Sequence, residues 1–245
     1  MAKKWKRILR QLSGLVMTLR VRKFKNTFFP ALGYLSLRRH GSSKHSLWAD
    51  HPDSSFNTAA YESVDNENSQ LLLAAIRRVT TPEDSILDLC CNQGRYLRAL
   101  WGQGYRKLFG FDIMKSAVDH FNETYRFKMK EIKIVHSSFC DFFKFHCTND
   151  YDFAITMSAT LELIEPQERI FEKIAQSVRK GAVFMLHEDG HSYPRFWSYG
   201  FEKNGLSVLL KQKTRSGCTL FILAKEKYAA EISNKLDSIY INGTK

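Results

Sequence analysis

No aspartate or glutamate occurs in the first 49 residues, and the first acid of the chain is Asp50. That stretch holds twelve of the 37 lysines and arginines, which leaves 25 basic against 25 acidic residues in the remainder. The net charge of +12 therefore belongs to an N-terminal arm rather than to the body of the protein. Nowhere does an apolar run approach the roughly 18 residues that cross a bilayer as a helix, so no transmembrane segment is expected. The five cysteines (Cys90, Cys91, Cys140, Cys147 and Cys218) include no CxxC and no paired zinc spacing. Reduced thiols in a cytoplasmic setting are the expectation. Neither an internal repeat nor a low-complexity block is present.

What is there suits one α/β domain with an appendage: 245 residues, 44% hydrophobic and 13% aromatic. Trp5, Ile8, Leu9, Leu12, Leu15, Val16 and Leu19 recur at helical spacing, with Lys3, Lys4, Lys6, Arg7 and Arg10 around the start. A basic amphipathic helix of this kind lies in a membrane interface, each cation near an anionic surface adding about 1 kcal/mol. Two other readings stand beside it: a helix packed on its own domain or a partner, and an organellar presequence. A secretory signal does not fit, because charge interrupts the apolar positions. Basic residues continue from Arg20 to Lys25 and at Arg38 and Arg39. They suit phosphate binding, to lipid headgroups, a polyprenyl diphosphate or RNA, or else a solvated linker. Residues 1–49 are read as arm and linker, 50–228 as the folded domain and 229–245 as a polar tail.

The domain is organised around residues 85–100, SILDLCCNQGRYLRAL. Ile86, Leu87 and Leu89 form a short apolar strand, small residues follow, and after Gly94 a helical pattern places Tyr96, Leu97 and Leu100 on one side. Strand, tight turn and helix N-terminus are how open α/β sheets build a nucleotide crevice beyond a strand's carboxyl end. Asp88 lies within the apolar strand, where an unpartnered carboxylate is costly, so it needs a turn amide or a ligand. Residues 107–113 read as a second strand ending in Asp112, 24 residues beyond Asp88. An acid there suits ribose hydroxyls, which a carboxylate accepts two at a time, or the capping of the next helix.

The segment from Asp88 through Cys90 and Asn92 to Gly94 resembles the glycine-rich first motif of class I S-adenosylmethionine-dependent methyltransferases. Cys90 and Asn92 stand where that family usually has glycine, and only Gly94 is kept. The resemblance implies a three-layer, Rossmann-like α/β sandwich with a seven-stranded, mostly parallel sheet and an antiparallel last strand. It implies S-adenosyl-L-methionine as cofactor and no metal. Asp88, Cys90, Asn92, Gly94, Asp112 and Ile113 would line the cofactor site. Tyr61 would cover it, Ser138 and Phe139 after the third strand would meet the adenine, and Met157 would stand at the end of the fourth strand.

Further along, residues 166–179 read as a helix opened by Pro166 and ended by Lys180 and Gly181, with a fifth strand at 182–186. The sequence from His187 to His191 spells HExxH, but it follows a strand and contains Gly190, so a helical zinc site is set aside. A histidine at that strand end can take a proton from a substrate hydroxyl, since its pKa lies near neutrality. His187, His191 and Glu162 are the candidate bases; rim residues or partners for neighbouring acids are the other reading of the histidines. Phe196 and Trp197 are read as a substrate wall, and residues 206–213 and 218–224 as an antiparallel pair. Neither the Asn-Pro-Pro-Tyr sequence nor the Pro-Cys nucleophile of base methyltransferases occurs. O-methylation of a membrane-presented lipid, lipid-linked glycan or other small molecule is the first reading, with an anionic membrane surface meeting residues 1–25 at the cytoplasmic periphery. An RNA or protein methyltransferase and a non-catalytic cofactor-binding adaptor are the alternatives.

Overall fold

Strand β1 (Ser85–Leu89) is buried at every residue, and its alternation sends Ile86 to one core and Leu87 and Leu89 to another. In the computed structural model, residues 62–145, 150–157, 161–164, 168–188 and 195–236 are described. The expectations for the basic arm, Tyr61, Cys147 and His191 fall outside them.

Helix α1 (Glu67–Val79) opens at Asn66, whose side-chain oxygen accepts from the Ser69 amide, and it buries Leu72, Leu73, Ala75, Ile76 and Val79. After β1 come α2 (Arg95–Trp101), β2 (Lys107–Asp112), α3 (Lys115–Thr124), β3 (Ile132–His136) and α4 (Phe139–Phe145). They are followed by β4 (Tyr151–Met157), a 3-10 turn (Leu161–Leu163), α5 (Ile170–Ser177) and β5 (Val178–His187). Helix α6 (Trp197–Lys203), β6 (Ser207–Lys213), β7 (Cys218–Ala224) and α7 (Glu226–Leu236) complete the domain. The seven strands run in the order β3-β2-β1-β4-β5-β7-β6. Pairings from β3 through β5 are parallel, and β7 runs antiparallel to both its neighbours. The strand order reverses beside β1, and the crevice past the ends of β1 and β4 is where such sheets bind ligands.

Two apolar layers hold the helices on the sheet. One collects side chains of α1, α2, α3 and α7 with Ile86; the other joins α4, α5 and α6 to Leu87, Leu89 and Phe111. Each fully buried leucine, isoleucine or phenylalanine here contributes roughly 1.5–3 kcal/mol by leaving water. At the opposite ends of the strands, Arg179 donates to both carboxylate oxygens of Asp152 at 3.0 Å, and Asp152 accepts from the amide and hydroxyl of Ser85 at 2.9 and 3.0 Å. This network ties the starts of β1, β4 and β5 together.

Three expectations change. The helix read over 166–179 is Ile170–Ser177 in its described part, and Val178, Arg179 and Lys180 already belong to β5. Gly181 therefore does not end a helix. It lies in β5, where a Cβ would stand 2.1 Å from the Leu223 carbonyl oxygen of β7. Position 228 falls inside α7, which packs Ile232 into the core and ends with the Lys235 carbonyl accepting from Arg78 Nε at 2.5 Å.

Candidate active site

The turn after β1 takes the left-handed backbone at every second residue: Cys90 (φ 55°), Asn92 (φ 51°) and Gly94 (φ 67°). That conformation costs a residue with a Cβ roughly 1–2 kcal/mol, less for asparagine. The glycine-type path is thus kept at the two positions that lack glycine. At 94 a Cβ would add the strain of a left-handed backbone and stand 2.5 Å from Ile134 Cδ1, so that side chain would have to move. Gly110 on β2 leaves room for the Cys91 thiol, since a Cβ there would meet Sγ at 2.7 Å. The turn is bound to the end of β2: the Cys91 amide donates to the Phe111 carbonyl at 2.9 Å, and the Asn92 amide to Asp112 Oδ2 at 2.7 Å. Asp112 Oδ1 accepts from the Met114 amide at 2.8 Å. Burial raises the pKa of Asp112, and the amides of Met114, Asn92 and Ile113 oppose that rise. Each of its oxygens keeps a second acceptor position for a ligand hydroxyl.

Among the described residues, two buried acceptors at the end of β1 and in this turn have no hydrogen-bond partner. Asp88 is 2% exposed, and its Oδ2 is inaccessible to solvent and accepts no hydrogen bond from the described residues. Burial pushes its pKa well up; Arg95 opposes this and Asp112 adds to it. Gln93 is 4% exposed, and its Oε1 is orphaned in the same way. A buried acceptor left unpaired costs about 1–3 kcal/mol, so these two atoms suit a group that brings hydrogen-bond donors. Gln93 is the site residue that the sequence reading missed; its signal is a long polar side chain inside a run of small ones.

At the neighbouring strand ends, Thr156 Oγ1 donates to the Leu89 carbonyl at 3.0 Å and fixes β4 against the end of β1. Glu162 is 2% exposed and accepts the His187 backbone N–H at 2.6 Å. It is thereby a brace between the 3-10 turn and the end of β5, not a base open to substrate. Arg195, also missed, donates to the carbonyls of Leu161 (2.6 Å) and Ile164 and holds that turn from the other side. His187 is half-buried at the end of β5, beside Cys218 of β7.

Ser138 and Phe139, expected at the adenine, are engaged within the fold. Ser138 caps α4: its hydroxyl donates to Asp141 Oδ2 at 2.7 Å and accepts from the Asp141 amide at 3.1 Å. Phe139 is 2% exposed and packs edge-on against Phe111 with ring centroids 6.1 Å apart, so its ring is core and not an adenine platform. Trp197 is 1% exposed and packs against Phe171 and Phe201, so it is no substrate wall. Phe196 is half-buried at the start of α6. Met157 packs partly on the core at the end of β4. The Ile113 carbonyl accepts from His136 Nε2 at 3.0 Å, which sets the chain's path past Asp112. Tyr61 precedes a segment tied to α2, in which Arg95 donates to the Ser63 carbonyl at 3.4 Å and Arg98 to the Glu62 carbonyl at 3.3 Å. Among the described residues no three histidine, cysteine or acidic side chains gather as metal ligands.

Comparison with known proteins agrees with this fold. Residues 86–181 match a family described as a methyltransferase domain. The fold is shared with a Haloferax volcanii methyltransferase solved in a complex with the Trm112 methyltransferase activator, with 17% identity, 75% of this chain and 98% of that chain covered, and a TM-score of 0.57. It is also shared with the magnesium protoporphyrin IX methyltransferase of Synechocystis, solved with bound S-adenosylmethionine, with 13% identity, 79% and 97% covered, and a TM-score of 0.54. A methyltransferase from Aquifex aeolicus aligns at 15% identity, with 69% and 98% covered and a TM-score of 0.50. Among curated proteins, none matches this chain.

Proposed function

We propose that the chain, whose residues 86–181 match a methyltransferase domain on a Rossmann-like sheet, is a methyltransferase that acts on a hydroxyl group of a membrane-presented lipid, a lipid-linked glycan or another small molecule. Its cofactor is S-adenosylmethionine, which supplies a methyl group on a cationic sulfur and carries an α-ammonium at the far end of its methionine arm. The observation that carries the cofactor reading is the two orphan acceptors, Asp88 Oδ2 and Gln93 Oε1, with the carboxylate of Asp112 bound to the same turn. An ammonium offers three N–H donors to the orphans, and Asp112 keeps acceptor positions for both ribose hydroxyls.

Methyl transfer asks mainly for alignment of a nucleophile with the methyl carbon, which orientation alone accelerates greatly. A hydroxyl acceptor also has to lose its proton. His187 stands at the end of β5 to take it, with its backbone held by Glu162. The acid-free arm supports presentation at an anionic surface, where Lys3, Lys4, Lys6, Arg7 and Arg10 would lie against headgroups.

Radiolabelled methyl transfer into fractionated lipid, RNA and protein extracts tests the acceptor class. Label in the lipid fraction, lost when residues 1–25 are removed, is the expected result. Label in RNA or protein instead would overturn the proposed acceptor. Sedimentation with neutral and anionic vesicles separates membrane docking from salt-dependent RNA binding by the arm.

A further inference from the structure

The end of β3 reaches the acid of the crevice through a single peptide group. His136, the last residue of β3, is the register partner of Asp112 at the end of β2. Its Nε2 lies 3.0 Å from the Ile113 carbonyl oxygen. A carbonyl oxygen only accepts, so Nε2 carries a proton and donates it. Protonation of the ring at Nδ1 leaves that N–H in place, and the bond holds in either charge state. The same peptide group ends in the amide of Met114, which donates to Asp112 Oδ1 at 2.8 Å. A peptide unit is planar, so the direction of its carbonyl sets the direction of its N–H. Imidazole, peptide and carboxylate thus form one chain of hydrogen bonds in which each polarises the next. Two more bonds come from main chain: the Asn92 amide donates to Oδ2 at 2.7 Å, and the Ser137 amide to the Asp112 carbonyl at 2.9 Å. Of these four bonds, the one from His136 is supplied by a side chain.

We infer that His136 is a positioning residue for Asp112, holding the peptide between Ile113 and Met114, and with it Oδ1, in the orientation that takes a ribose hydroxyl. The inference rests on the reading of Asp112 as the acid that meets the ribose of S-adenosylmethionine. The torsion that turns a carboxylate is broad, so the group keeps one orientation only while donors hold both oxygens. Without the imidazole, the 113–114 peptide is free to turn, its N–H leaves Oδ1, and the carboxylate swings about its remaining bond to Asn92. Water can satisfy the Ile113 carbonyl in place of the ring, but it does not fix the carbonyl's direction. His136 is exposed, so its ring adds little to the core, and its loss is felt through the peptide rather than through packing.

The test is calorimetry on the full chain with two ligands. One is S-adenosylhomocysteine, which keeps the nucleoside and lacks the reactive methyl; the other is its 2′,3′-dideoxy analogue, which lacks both ribose hydroxyls. His136→Phe keeps an aromatic ring without the donor, and His136→Gln returns an amide N–H near the place of Nε2. The wild type is expected to bind S-adenosylhomocysteine about tenfold or more tightly than the dideoxy analogue, through charge-assisted bonds to Asp112. His136→Phe loses about fivefold in affinity for S-adenosylhomocysteine, roughly what one neutral hydrogen bond carries, and changes the affinity for the dideoxy analogue by less than about twofold. His136→Gln recovers most of that loss. A variant that was merely less stable would lose affinity for both ligands alike. Equal losses toward the two ligands in His136→Phe, no loss at all, or a loss in His136→Gln as large as in His136→Phe would overturn the inference. A wild type that binds the two ligands equally would instead remove the ribose reading, and the inference with it, and that result is seen before either variant is made.

Discussion

The backbone N–H of Asn92 and the carboxylate of Asp112 meet at 2.7 Å, and this bond joins the turn after β1 to the end of β2. It makes one rigid rim of two chain segments 20 residues apart. The rim fixes Asn92 in its left-handed conformation and aims the acid across the crevice.

Because Cys90 adopts a left-handed backbone without being glycine, Cys90→Gly relieves strain at that site. Chemical denaturation is expected to show stabilisation of about 0.5–1 kcal/mol, net of the extra freedom glycine gives the unfolded chain. Asn92→Gly changes stability by less than about 0.5 kcal/mol, since asparagine tolerates this region. A loss above about 1 kcal/mol in Cys90→Gly would mean that the thiol itself holds the turn.

Ser138 separates a helix cap from a cofactor contact. Ser138→Ala removes the cap of α4 and lowers stability by about 1 kcal/mol, while affinity for S-adenosylmethionine stays within about twofold. A tenfold loss of affinity at unchanged stability would return Ser138 to the adenine site.

The network under β1, β4 and β5 gives the fold an acid limit. Burial works against the Asp152 carboxylate, but Arg179 and the two donors of Ser85 outweigh it and hold its pKa at about 2, from an ordinary 3.8. A depressed acid stabilises the fold above its unfolded value, and that part is lost as pH falls from about 4 to about 2. The contribution is roughly 1–2 kcal/mol after screening by solvent at the half-exposed Arg179. Denaturation of wild type and Asp152→Asn should therefore differ at pH 7 and converge near pH 2. Parallel curves over that range would contradict the assignment.

Asp88 makes cofactor binding a proton-linked event. Burial raises its pKa in the folded chain, and a cation settling beside Oδ2 lowers it again. Binding is thus expected to release protons, and affinity to rise with pH through the titration of Asp88. Titration in two buffers of different ionisation enthalpy measures the proton count, which Asp88→Asn should abolish.

Much of the fold was legible because its signals are local. The apolar runs at Ile86–Leu89 and over 107–112, and the acid that ends the second, mark strands and crevice without knowledge of the tertiary structure. The turn was legible through Asp88 and Gly94, although Cys90 and Asn92 hide its glycine-like path. What stayed hidden depends on contacts between distant segments. Phe139 and Trp197 look like ligand-facing aromatics in sequence, yet the layer on the α4, α5 and α6 side buries both. Gly181 resembles a helix terminator until β7 is seen crossing over it. His136 gains meaning only from the register that sets it beside Asp112.

The central claim is that the crevice after β1 holds S-adenosylmethionine by its turn and by the acid at 112. Calorimetric titration of the cofactor into the full chain, wild type and Asp112→Ala side by side, tests it most directly. The account predicts one site per chain and at least a tenfold weaker affinity in the variant, from the loss of charge-assisted bonds to the ribose. No binding heat in the wild type, or equal affinity in the two proteins, would contradict it.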